Sequence, residues 1–180
     1  IAMVEPILSL FLAEKIHLGP ARVGLVFGFA AIASAAVHPL AGLLSDRWGA
    51  RRGTVFGLVA TGLALPLLGF INSFSTAVGL FLLNTLAVAV VITPSLAFMA
   101  EATSTTGVGS FGVAFGLYNF AWAIGLLVGP AMGGFLYERI GFVRLVTAWA
   151  PIALTMTFLI IAAERRPHGA REKRSNGAQH

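Results

Sequence analysis

Apolar residues run along the chain in long blocks broken by short polar links, not at the spacing of half-buried helices or strands. The blocks cover about 1–13, 23–44, 54–70, 76–100, 111–136 and 143–163. A hydrocarbon core about 30 Å thick takes about 20 helical residues to cross, so five blocks have roughly the length of a span. The first is too short and reads as the end of a truncated helix. The links hold the breakers and the charge: Gly19-Pro20 within 14–22, the stretch Gly42 to Arg52, the turn Asn72-Ser73, and a Ser/Thr/Gly run over 101–110. This predicts an all-α membrane protein of six transmembrane helices, the first truncated, filling residues 1–163. The basic tail 164–180 lacks apolar periodicity and is predicted to be disordered.

Composition agrees with the class: 57% of residues are hydrophobic and 11% charged, with a mean hydropathy of +0.88, outside the soluble range. The sequence pI of 10.8 invites a nucleic-acid reading, but the positions of the charges exclude it. Of twelve Lys and Arg, five fall between Arg165 and Arg174 and three (Arg47, Arg51, Arg52) in the Gly42–Arg52 link. That is the positive-inside pattern of a multi-pass protein. It places the link and the C-terminus in the cytoplasm, and Lys15, Arg22, Arg139 and Arg144 outside, in a plasma or bacterial inner membrane. The chain has no Cys and its four His are scattered, so neither a disulfide nor a metal centre is expected. It opens at Ile1 inside an apolar run, without the charged n-region of a signal peptide, and is read as a piece of a longer protein.

Within the charged link, Gly42 suits close helix approach. Asp46 falls at a helix end, where a carboxylate faces the positive end of a neighbouring helix. Gly49 suits a positive-φ helix stop, and Arg47, Arg51 and Arg52 are available to pair or to bind headgroups. Glu101 closes the fourth block on the same side. Gly42-Leu-Leu-Ser-Asp-Arg-Trp-Gly49 also matches Gly134-Phe-Leu-Tyr-Glu-Arg-Ile-Gly141, both reading G-x-L-x-(D/E)-R-x-G. Three crossings separate the copies, so they belong on opposite sides, as in two inverted three-helix repeats. Chance recurrence of Gly and Arg at helix ends is the alternative.

Gly125, Gly129, Gly133 and Gly134 form a stripe on which helices pack closely in lipid. Pro130 removes a helical hydrogen bond inside it, so a hinge and a rigid seam are both open readings. Four polar side chains lie inside apolar blocks: Glu5, His38, Asn84 and Asn119. At helical rise all four fall near mid-depth, about 10–13 Å from a block end. An intramembrane carboxyl costs about 2.5–3.5 kcal/mol by insertion scales and is normally directed at a cavity or partner. Glu5 is therefore the sharpest candidate for cation or proton binding, against a structural carboxyl kept between helices. His38 precedes Pro39 and serves either a freed carbonyl or a proton relay. Asn84 and Asn119 serve as helix–helix glue or as ligands, and Tyr118 and Trp122 line a cavity or pack.

Gly42 to Arg52 resembles the loop signature of the major facilitator superfamily, G-x-L-(A/S)-D-R-x-G-(R/K)-(R/K), with Ala50 at a usually basic position. Gly125 to Gly134 is similar to its antiporter motif, G-x-x-x-G-P-x-x-G-G. Glu5-Pro6 and Tyr118-Asn119 resemble the C-terminal half of drug:proton antiporters, vesicular amine transporters among them, with Asn119 standing where the latter have aspartate. The resemblance covers about Val4 to Ala163. It implies half of a twelve-helix transporter, with the N-terminal six-helix half, the lipid bilayer, a small organic solute and protons as partners. It also implies a cytoplasmic gate in which charges such as Asp46, Arg47 and Glu101 clasp neighbouring helices. In the family the antiporter motif is more usual in the fifth helix of the N-terminal half, but that half usually carries an Arg in its fourth helix, where Leu82-Leu-Asn84-Thr85 has none; with the short basic tail, this favours the C-terminal half. No nucleophile–base pair, phosphate loop or cofactor motif is present, so the chain is read as a transporter and not an enzyme. A membrane sensor or scaffold on the same helical frame is the other class.

Overall fold

The computed structural model describes residues 2–105 and 111–164. The tail from Arg165 and residues 106–110 of the 101–110 link lie outside them. The described residues form six α-helices: α1 (Val4–Glu14), α2 (Pro20–Trp48), α3 (Ala50–Leu67), α4 (Phe74–Thr105), α5 (Phe111–Ile140) and α6 (Phe142–Glu164). A single 3-10 turn, Leu68–Phe70, extends α3. Among these residues α2, α3 with its 3-10 turn, α4 and α5 are long and apolar enough to cross a membrane, at mean hydropathies between 1.7 and 2.2. α1, at 11 residues, is too short to span, and α6 contributes the shorter apolar stretch Phe142–Ile152.

The helices reach further into the links than the hydropathy pattern implies. α2 starts at Pro20, whose fixed φ and missing N–H suit the first helical position. α4 starts behind Ser73, whose Oγ accepts from the Thr76 backbone N–H at 3.3 Å. The largest departure is the Gly42–Arg52 link. Here α2 runs to Trp48, α3 begins at Ala50, and only Gly49 stands between them. Its φ of +87° lets one residue reverse the chain. The Gly49 N–H donates to the Ser45 carbonyl at 2.8 Å, and the Gly49 carbonyl accepts from the Gly53 N–H at 3.2 Å. Asp46, Arg47, Arg51 and Arg52 thus project from helical turns, not from a loop.

The same turn recurs between α5 and α6. Gly141 has φ +77°, its N–H donates to the Tyr137 carbonyl at 2.9 Å, and its carbonyl accepts from Leu145 at 3.2 Å. These are the positions the repeated G-x-L-x-(D/E)-R-x-G pattern equates. The two turns lie at opposite ends of α3: Gly53 backs onto Pro94 near the first, and Gly69 onto Val143 beside the second. Sixteen residues separate Gly53 from Gly69, about 24 Å at helical rise.

Packing differs along that length. Near the Gly141 turn, large apolar side chains converge: Leu8 and Leu12 of α1, Leu68, Phe81 of α4, and Leu145 and Val146 of α6 are all buried. Phe11 stacks on Phe142 with ring centroids 4.3 Å apart. Near the Gly49 turn, small residues bring backbones together. A Cβ added at Gly57 would lie 2.6 Å from the carbonyl of Val90, and one at Gly53 would lie 3.0 Å from Pro94. Gly53-x-x-x-Gly57-x-x-x-Thr61 is thus the close-packed seam of α3 against α4. Phe27 meets Phe81 and His38 meets Thr93, so α2 and α4 run parallel. Gly53 meets Pro94 and Gly57 meets Val90, so α3 runs antiparallel to α4.

Candidate functional site

Glu5 and Asn84 line one cavity. The first turn of α1 carries Glu5, and α4 carries Asn84 and Thr85. These three line one cavity of about 40 Å³, walled by Val4, Leu65, Phe81 and Val88. Apolar residues around Glu5 hold α1 in place: Val4, Leu8 and Leu12 are 5%, 0% and 0% exposed. Glu5 itself keeps an exposed side. Asn84 is 6% exposed, and its Oδ1 has no hydrogen-bond partner. Thr85 Oγ1 donates to the Phe81 carbonyl at 2.9 Å and leaves its lone pairs to the cavity side.

His38 sits in a second place, between α2 and α4. Its Nδ1 lies 2.8 Å from Thr93 Oγ1 and its Nε2 lies 3.2 Å from Ser34 Oγ. The bridge joins the residues immediately before Pro39 and Pro94, so it ties two helices where each lacks a backbone donor. Both partners of His38 are hydroxyls, and neither belongs to the Glu5 cavity.

Tyr118 and Trp122 form a third locus on α5. With Phe111 and Phe115 they make a ladder of near-parallel rings, with centroids 6.1, 6.5 and 6.5 Å apart in turn. With Ala2, Ala121 and Gly125 they line a cleft of about 310 Å³ beside the start of α1. Asn119 is exposed on α5, and its Nδ2 donates to the Phe115 carbonyl one turn back at 2.8 Å. In the glycine stripe, Gly133 lies against Met3 and Ile7, and Gly129 against the backbone of Ala2 and Met3, whereas Gly125 and Gly134 face open space. α5 is one continuous helix through Pro130.

At the Gly49 turn, Asp46, Arg47 and Arg52 are exposed and Arg51 is half-buried. Glu101 is exposed on the last turns of α4, and both it and Arg51 are engaged with other groups. Gly42 would place a Cβ 3.8 Å from Thr93 Cγ2, an ordinary contact. The tight approach falls instead at Gly53 and Gly57, which the sequence reading passed over although their four-residue spacing was there to be read. It also passed over the far end of the bundle. There Tyr137 Oη donates to Glu14 Oε2 at 3.0 Å, at the rim of a cleft of about 710 Å³ that also includes Lys15, Glu138 and Arg144. The available signal was Tyr137 itself, which holds the place of Ser45 in the second copy of the repeat.

A profile of the Major Facilitator Superfamily matches residues 1–179. The chain belongs to that superfamily. Among curated proteins it is 37% identical over 151 residues to the MFS-type transporter SLC18B1 of Homo sapiens, covering 77% of this chain and 33% of that protein. It is 30% identical over 145 residues to the uncharacterized MFS-type transporter C18.02 of Schizosaccharomyces pombe, covering 78% of this chain and 32% of that one. It is 28% identical over 173 residues to the uncharacterized MFS-type transporter YuxJ of Bacillus subtilis, covering 92% and 42%. The chain therefore spans about a third of the length of the first relatives it matches. Membership makes this a multi-pass membrane protein, in keeping with the four span-length helices.

Proposed function

We propose that the chain is the C-terminal half of a secondary transporter that moves a small organic solute against protons by alternating access. The superfamily match over residues 1–179 carries this reading, and the relatives named as MFS-type transporters support it. Two three-helix units of opposite orientation, α1–α3 and α4–α6, rock as one body against an N-terminal six-helix half around a midplane cavity. The matching turns at Gly49 and Gly141, at opposite ends of α3, support the inverted arrangement. The Gly49 turn and the C-terminus face the cytoplasm of a plasma or inner membrane, in line with the arginines at 47, 51 and 52. Efflux by antiport is the reading supported by the resemblance of the G-x-x-x-G-P-x-x-G-G stripe on α5 to the family's antiporter motif.

Glu5 is the coupling group. It is a carboxyl with one side exposed and one facing a cavity that contains a buried acceptor. Loading a proton there neutralises the charge before the site reorients. In the full-length protein, Glu5→Gln should abolish accumulation driven by a pH gradient while substrate exchange, which needs no net proton movement, continues. Full accumulation by Glu5→Gln would move the coupling elsewhere, with His38 as the next residue to test.

A further inference from the structure

We propose that Asn84 is the acceptor that holds the protonated form of Glu5, so that closure of α1 on α4 depends on the proton. The inference rests on the coupling role given above to Glu5 and names the partner that role requires. Three observations carry it. Asn84 is 6% exposed, in a helix interior where an amide oxygen without a donor is costly. Its Oδ1 has no partner. It lines the same cavity of about 40 Å³ as Glu5, a volume that admits about one water.

Donor and acceptor chemistry then selects the state. An ionised carboxylate only accepts, so it leaves Asn84 Oδ1 unmet and adds a charge beside it. A protonated carboxyl has one O–H to give. Glu5 therefore satisfies Asn84 by direct contact only when it carries the proton. Thr85 Oγ1 does not compete for that acceptor, because its hydrogen goes to the Phe81 carbonyl. Glu5 is the titratable group among the described residues that line the cavity. The other charged groups of the described helices lie toward their ends: Glu14 on α1, Arg22, Asp46 and Arg47 on α2, Arg51 and Arg52 on α3, Glu101 on α4, Glu138 and Arg139 on α5, and Arg144 and Glu164 on α6. His38 is engaged by Ser34 and Thr93, and Tyr118 lines the separate α5 cleft. The proton on Glu5 thus adds a hydrogen bond between α1 and α4, and its release removes that bond. Asn84 acts through Glu5 and is a positioning residue.

Two variants of opposite sign and two readouts test this in the full-length transporter reconstituted into liposomes. Asn84→Leu removes the acceptor, so Glu5 loads less readily. The pH profile of gradient-driven transport should move acid by about tenfold in proton concentration. Asn84→Asp sets a second carboxylate beside Glu5, which favours the proton, and the profile should move alkaline. A helix-gluing role alone predicts lower activity with an unmoved profile, or shifts of the same sign, and either result overturns the proposal. The second readout does not depend on Glu5 being the coupling group. The carboxyl C=O stretch lost in Glu5→Gln should lie at higher frequency in Asn84→Leu than in the parent protein. A Glu5 band that ignores Asn84→Leu, or that never appears across the working pH range, overturns the pairing. A shifted band with full pH-driven accumulation by Glu5→Gln upholds the pairing and rejects the coupling role.

Discussion

α4 and α5 look alike as strings of residues and are used very differently. Each is about thirty residues long, rich in apolar side chains, and carries one internal proline, Pro94 or Pro130. α4 is gripped along its length: Ala77, Phe81, Asn84, Ala87, Ala89 and Pro94 are all buried against α2 and α3 or under the outer cluster. On α5 only Gly133 is buried, while Leu117, Phe120 and Leu127 are 66%, 63% and 78% exposed. A helix that is apolar all round can be satisfied by lipid or by protein on any side. The backbone contacts therefore decide. Small residues of α3 let α4 come within touching distance at Val90, whereas the glycines of α5 meet only the short α1.

That contrast orders the expected effects of adding side-chain volume. Gly57→Val should do most, because its Cβ falls 2.6 Å from the Val90 carbonyl and backbone cannot step aside. Overpacking of this kind costs about 3 kcal/mol, read as lost thermal stability of the full-length protein in detergent. Equal stability to the parent would show that the α3–α4 seam is not tight. Gly133→Ala ranks next, at about 1 kcal/mol, since the added methyl meets side-chain atoms, Met3 Cγ and Ile7 Cδ1, and not backbone. If it matched Gly57→Val, the grip on α5 would be as rigid as that on α4.

The polar tie between α2 and α4 should count for less than either. A double-mutant cycle of His38→Ala with Thr93→Val is expected to give a coupling of about 0.6 kcal/mol, the usual scale for hydrogen bonds between helices in a bilayer. A coupling of zero would leave the 2.8 Å contact without energetic consequence. Gly125→Ala should change stability least, because nothing lies within 4 Å of the added methyl. A large loss there would mean that a partner covers this part of α5 in the whole transporter, and would narrow the difference between the two helices.

Particular residues show what was legible beforehand. The block pattern located α2 to α6 to within a few residues, because twenty apolar residues in a row have few fates other than a membrane helix. It misjudged the ends. Hydropathy falls off where Asp46, Arg47 and Arg51 begin, but backbone hydrogen bonding continues to Trp48 and resumes at Ala50. The repeated motif was visible as letters, and the shared positive-φ turn at Gly49 and Gly141 gives it a structural counterpart. Glu5 and Asn84 stood out as polar residues in apolar blocks. That they face one cavity, while Asn119 bonds back to its own helix and His38 bridges elsewhere, was not visible.

By itself the sequence determined the class, the superfamily, the number of helical blocks and the inventory of polar groups that apolar surroundings make costly. The class, the blocks and the polar inventory follow from composition and short-range pattern, and the superfamily from the resemblance of its motifs; none of these needs knowledge of neighbours. The tertiary structure decided which glycines are seams, which helix stays bare, and which polar residues line one cavity across 79 positions of chain, as Glu5 and Asn84 do. In a segment that is apolar on every side, hydrophobicity has no direction along the helix surface. Only backbone approach and hydrogen-bond partners choose the face, and both are properties of the pair and not of either segment alone.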